Sequence, residues 1–262
     1  MSQDVQNIMS SYKMGSQDID IALEQEYKKC ALERGRAYTP GGVKIGKGVA
    51  DLVNTGAVLY TEEKARQGYP VTILPQESQG SRYEEDDSPY DPDSVVSYKI
   101  PESGEVSMNP KSCRGIAAAR VFGTIEKHLK YTNLINALAM VNQKYGIAEE
   151  IGILYKTGKE YPACMSVAGY SEVNYFGAAP QVAAKKFGQY RSEGEEANAE
   201  ERALAQADYK CQQESGVVRK AEDIFYSKAA QWFKEHESLI FEIRDIEAEA
   251  KERSIKIING EL

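Results

Sequence analysis

The run from Glu195 to Ile257 constrains this chain most. Apolar or small side chains recur at Val218, Phe225, Ala229, Trp232, Leu239, Ile243, Ile246 and Ala250, in steps of three, four or seven. That is the period of one face of an α-helix. Glu247/Lys251, Glu249/Arg253 and Glu252/Lys256 add i,i+4 pairs with the acid N-terminal to the base, the favourable order. Ser215-Gly216 is the one expected break. From Val217 to Ile257 there are 41 residues, and a straight helix of that size spans about 60 Å. A compact chain of this length has a radius of gyration of roughly 18 Å. The helix therefore bends near His236–Ser238, packs along the body, or projects from it.

The rest of the chain reads as shorter helices. Residues 17–35 form one, with Ser16 or Asp18 as cap and Gly35 just past its end. Glu62–Gln67 form another, closed by Gly68. Helices cover Ser112–Leu129 and roughly 131–158, the latter interrupted at Gly146 and Gly152. A helix over Glu160–Tyr170 ends at Gly169, and a short one lies near 180–187. Nothing alternates apolar and polar for long, which argues against a large β-sheet. The expected organisation is a flexible N-terminus (1–16), a helical lobe over 17–135 with an acidic, proline-rich loop at 76–111, a second lobe over 136–216, and the long helix of 217–262. The fold class is mostly α, an irregular helical domain with a long C-terminal helix that either protrudes or folds back.

Charge narrows the partners. The chain has 32 basic and 40 acidic residues, a net charge of −8, and residues 195–257 alone carry 10 bases against 15 acids. Nucleic acid and anionic membranes demand a cationic surface, so neither is expected as a partner. No stretch approaches the roughly 18 apolar residues of a membrane span. The N-terminus Met1-Ser2-Gln3-Asp4 has neither a basic nor an apolar leader region, so an exported form of this chain would be a mature one.

Four cysteines, Cys30, Cys113, Cys164 and Cys211, contain no C-x-x-C pair, which removes the usual zinc-ribbon and thioredoxin signatures. Two readings stay open: two disulfides of an oxidising compartment, or four free thiols of a cytosolic or phage-type structural protein. If they are bridged, three connectivities are allowed, and sequence arithmetic favours Cys30–Cys113 and Cys164–Cys211. A local echo joins three of them. Cys30, Cys164 and Cys211 are each followed five residues later by a glycine, Gly35, Gly169 and Gly216. A cysteine in the last turns of a helix that ends on a left-handed glycine produces that spacing.

The ordered set of short motifs resembles a family of uncharacterised secreted proteins and lipoproteins of actinobacteria. The motifs are Tyr27-Lys28-Lys29-Cys30 through Gly35, Gly48-Val49-Ala50-Asp51 through Gly68-Tyr69, and Ser112-Cys113-Arg114-Gly115 through Arg120. Cys164-Met165-Ser166-Val167-Ala168-Gly169-Tyr170 and Ala205 through Cys211 follow, before the long helix. Together they span roughly 17–257. Tyr161 departs from the pattern, since the family tends to carry tryptophan there. The resemblance implies export and intramolecular disulfides; it carries no activity.

No catalytic constellation stands out. The two histidines, His128 and His236, sit in charged helical surroundings, and Glu235-His236-Glu237 is not H-E-x-x-H. There is no G-x-S-x-G elbow and no Walker loop. Gly41-Gly42-Val43-Lys44-Ile45-Gly46-Lys47-Gly48 lacks the strand–helix context of a phosphate cradle. Asp86, Asp87, Asp91 and Asp93 miss the EF-hand spacing, so no metal and no cofactor are called for. The expectation is a non-enzymatic extracellular or cell-envelope protein that binds a protein partner or self-associates through the C-terminal helix. Phe225, Trp232, Phe233 and Phe241 are its candidate contact residues, with burial in the protein's own core as the alternative. The rival of another class is a secreted hydrolase using paired carboxylates.

Overall fold

The computed structural model describes residues 3–14, 16–36, 61–69, 72–74, 92–188, 190–192 and 195–262. In chain order the elements begin with helices α1 (Gln3–Met14), α2 (Gln17–Glu33) and α3 (Glu62–Gln67), then strands β1 (Thr72–Leu74), β2 (Val96–Lys99) and β3 (Glu105–Met108). Helices α4 (Cys113–Phe122), α5 (Ile125–Lys144), α6 (Ile147–Thr157), α7 (Glu160–Val167) and α8 (Ala178–Phe187) follow. After β4 (Tyr190–Ser192) come α9 (Ala199–Ser215), α10 (Val217–Lys228), α11 (Ala230–Glu235) and α12 (Glu237–Ile258). The protein is mostly α, stapled by two disulfides, Cys30–Cys113 and Cys164–Cys211, and no cysteine is free. That settles the open question about sulfur: the free-thiol alternative is incorrect.

The chain divides into two compact units, neither of them continuous. Unit 1 comprises residues 1–43, 77–141 and 233–262; unit 2 comprises 44–76 and 142–232. The expected consecutive lobes therefore do not match the packing. In unit 1, α12 packs on α2, α1 and α4, and α2 packs on α4. The expected flexible N-terminus is instead helix α1. Its Val5, Ile8, Met9 and Tyr12 recur at helical spacing and are all buried. The Tyr12 hydroxyl donates to the Tyr131 carbonyl oxygen at 2.8 Å, and the two rings meet edge-on at 5.3 Å. Alone, 12 residues make a marginal helix; the buried stripe is what holds it.

Strands β2 and β3 form an antiparallel hairpin in register Val96↔Met108 to Lys99↔Glu105. Val96, Tyr98, Val106 and Met108 point to one face and pack on Ala118, Ile125 and Leu129. This hairpin occupies part of the stretch expected to be loop. The acidic run 84–91 and the glycine-rich 41–48 lie outside the described residues.

In unit 2, α9 collects α3, α7, α8 and α10, while α10 also packs on α6. Strands β1 and β4 pair in parallel, Thr72↔Tyr190 to Leu74↔Ser192. Glycines end helices as the sequence indicates. Gly35, Gly169 and Gly216 have φ of +67°, +94° and +63°, so the cysteine–glycine echo marks three helix ends. The expected helix 112–129 divides at Gly123, and Gly146 separates α5 from α6, whereas Gly152 lies inside α6.

The C-terminal run departs most from expectation. From Val217 it is three helices, broken at Ala229 and His236, and the longest, α12, has 22 residues, about 33 Å. His236 falls where a bend was expected. Ala229 carries no helix-breaking chemistry, so local propensity does not account for that break.

Candidate functional site

The helix stripe flagged as a contact surface is spent on the interior. Phe225, Trp232 and Phe233 are buried. A ring already removed from water has no area left for a partner, so these three are corrected to packing residues, each contributing about 1.5–3 kcal/mol by burial. Phe241 alone keeps partial exposure, with the Arg244 guanidinium 5.2 Å from its ring centroid. Acids of α12 pair with lysines of α5: Lys130 with Glu242 at 2.5 Å, and Lys127 with Glu249.

Neither histidine heads a reactive group among the described residues. His128 lies edge-on to Phe122 at 5.0 Å, and burial pushes its pKa down to about 4, so it is neutral at pH 7. His236 occupies the cap position of α12 without a side-chain capping bond.

Sequence reading missed a dense polar site in unit 2. Asp208, on α9, is buried. Its Oδ1 accepts from the Tyr161 hydroxyl at 2.6 Å and from Gln212 Nε2 at 2.9 Å, and its Oδ2 accepts from the Tyr69 hydroxyl at 2.7 Å. The Tyr69 backbone N–H donates to Glu201 Oε1 at 3.1 Å. One carboxylate thus ties the chain after α3, helix α7 and helix α9 together. Burial raises the Asp208 pKa, opposed by the three donors, and burial beside this acid also pushes both phenols up, so the tyrosines stay neutral. A signal was present: residues 201, 204, 205, 208, 211 and 212 share one helical face, which sets Asp208 among apolar side chains.

The same helices carry the cystine. Tyr161 and Cys164 stand three residues apart on α7, as Asp208 and Cys211 do on α9, so hydrogen bond and disulfide form successive rungs between parallel segments. Around Cys164 the sequence Tyr161 to Ser171 has no charged residue. Ala163, Ser166, Ala168 and Gly169 are exposed there, and Val167 is 91% exposed.

For hydrolysis two carboxylates must face one cleft. Asp208 is closed in by its own donors. A small cleft lined by Tyr155, Tyr161, Phe176, Val217, Glu160 and Lys220 has room for about one water and holds one carboxylate. That carboxylate, Glu160, is kept below its ordinary pKa by backbone hydrogen bonding and by Lys220. Among the described residues, no group of three or more His, Cys, Asp or Glu is placed to hold a metal ion, and no helix is long and apolar enough to cross a membrane. No protein-family model, curated protein or solved structure matches this chain.

Proposed function

We infer that this is an exported protein of the extracellular space or cell envelope that works by binding or assembly. The observation carrying that reading is that all four cysteines are consumed in two intramolecular cystines, each joining two helices of one unit. Such bonds persist where the surroundings oxidise thiols and are rare where glutathione keeps them reduced. The family resemblance points the same way. A protein partner or a second copy meets the C-terminal helix on its outward face, where Phe241 stacks on Arg244 and Ile255 is half exposed. Fractionation of the producing culture tests the address. Protein outside the cytoplasm with no titratable thiol before reduction supports it, and four thiols in a never-reduced cytoplasmic sample overturn it. Sedimentation of wild type and Phe241→Ser, alone and with the captured partner, tests the contact. An unchanged association in the variant removes the α12 face from the reading.

A further inference from the structure

The two cystines differ in what they show to solvent. Cys30 and Cys113 are 5% and 3% exposed, whereas in the other pair Cys211 is 1% exposed and Cys164 is half-buried. Thiol–disulfide exchange requires a thiolate to reach one sulfur, and the group that leaves is the other. Only Cys164 offers that approach, from the outer side of α7, where Ala163 and residues 166–169 of its own segment are exposed and uncharged.

We propose that Cys164–Cys211 is a thiol-exchange site, entered at Cys164 by a dithiol reductant, and that its opening frees the C-terminal turn of α7. One thiolate of the dithiol attacks Cys164 Sγ, the Cys164–Cys211 bond breaks, and Cys211 leaves as a thiolate that takes up a proton. The second thiolate of the reductant then attacks its own sulfur in the mixed disulfide and releases Cys164, which is protonated in turn. Two electrons and two protons pass to the protein, and the dithiol leaves as a disulfide. After opening, Tyr161–Asp208 still holds the first turn of α7, one turn before the lost bond. The segment from Cys164 to Gly169 loses its covalent anchor.

The site also discriminates among thiols. Glu214 Oε2 lies 3.4 Å from Cys164 Sγ. A cystine sulfur carries no proton, so this is a negative charge beside the point of attack and not a hydrogen bond. Lys210, 3.7 Å from the other Glu214 oxygen, offsets part of it. Anionic thiols are therefore disfavoured against neutral or cationic ones.

The test uses the full oxidised chain in native buffer with dithiothreitol, timed alkylation and peptide mapping. Cys164 and Cys211 are expected to label at least about ten-fold faster than Cys30 and Cys113. Hydrogen exchange is expected to rise over 164–169 while Tyr161 stays protected. One shared labelling rate for all four cysteines, or faster labelling of Cys30 and Cys113, overturns the proposal. With monothiols, the first adduct is expected on Cys164, and an adduct on Cys211 overturns the direction of attack. Glu214→Gln is expected to raise the rate with glutathione relative to cysteamine by about two- to five-fold, and an unchanged ratio removes the discrimination by charge.

Discussion

In unit 1 the cystine joins helices that run antiparallel. Arg34, Cys30 and Glu26 descend α2, opposite the Lys111 carbonyl, Cys113 and Arg120, with Arg34 donating to that carbonyl at 2.6 Å and Arg120 bonding Glu26 at 2.9 Å. In unit 2 the joined segments run parallel, and the flanking rung is buried, an acid held by two phenols and an amide. The first joint flanks its sulfur with an ion pair of which only the Arg120 half reaches water, 43% exposed against 7% for Glu26. The second flanks its sulfur with a buried acid that accepts from the hydroxyls of Tyr69 and Tyr161. The covalent link is common to both, but it is the burial of the neighbouring rung that decides how much rests on noncovalent bonds.

Removing the bridges sets the scale. Chain entropy for loops closed over separations of 83 and 47 residues gives about 4.5 and 4 kcal/mol, so Cys30→Ala/Cys113→Ala and Cys164→Ala/Cys211→Ala should cost nearly the same in urea unfolding. A large inequality would mean that the two joints differ in the bridge itself and not in the flanking rungs. The next effect separates them. Asp208→Ala leaves two buried hydroxyls and an amide without their acceptor and should cost about 3 kcal/mol or more. Glu26→Ala in unit 1 should cost about 1 kcal/mol, because Arg120 can turn to water. Equal losses would erase the contrast.

Unit 1 places one cysteine at a helix start, whereas Cys164 and Cys211 lie within α7 and α9. Cys113 is the first residue of α4, so the turn before it aims the sulfur. Ser112 Oγ donates to the Asn109 carbonyl at 2.8 Å and accepts from the Gly115 N–H at 2.9 Å, while Asn109 Oδ1 accepts from the Lys111 N–H at 2.9 Å. The Asn109 carbonyl crosses so close to Gly115 that an added Cβ would lie 2.2 Å from its oxygen. Gly115→Ala should therefore lose about 2 kcal/mol by overpacking and slow oxidative closure of Cys30–Cys113 during refolding, with Cys164–Cys211 unaffected. Stability equal to wild type would show that the cap does not aim the sulfur.

How much of this was legible follows from which interactions are local. Helix ends were, because a left-handed glycine is a one-residue requirement: Gly35, Gly169 and Gly216 all show it. The cystine pairs were as well, each closing within one half of the chain. Helix α1 was not, because its polar composition hides a stripe that matters only once α12 is there to receive it. The C-terminal run was half legible: its apolar period is real, but Ala229 breaks the helix without a local cause, and the stripe is consumed as packing. Asp208 was missed because acids are ordinarily read as solvated. Its register, one turn before a buried cysteine, is the feature that contradicts that reading.

The smallest expected effect decides what kind of group Asp208 is. Two influences oppose each other there: burial favours the neutral acid, and three donors favour the carboxylate. Burial dominates, so the folded state binds this proton more tightly than the unfolded chain does. The stabilisation from that proton is fully present below the ordinary aspartate pKa of about 3.9 and is lost as pH rises through the raised folded value. Asp208→Asn removes the proton from the cycle while keeping shape, one acceptor and one donor group for the surrounding hydroxyls. The stability of Asp208→Asn relative to wild type should therefore improve between pH 4 and pH 7, measured by urea unfolding at each pH. Tyr69 and Tyr161 remain neutral throughout. A difference that worsens over that range would mean the three donors outweigh burial. The unit 2 joint would then gain from its ionised form, and its contrast with the charged joint of unit 1 would narrow to one of exposure alone.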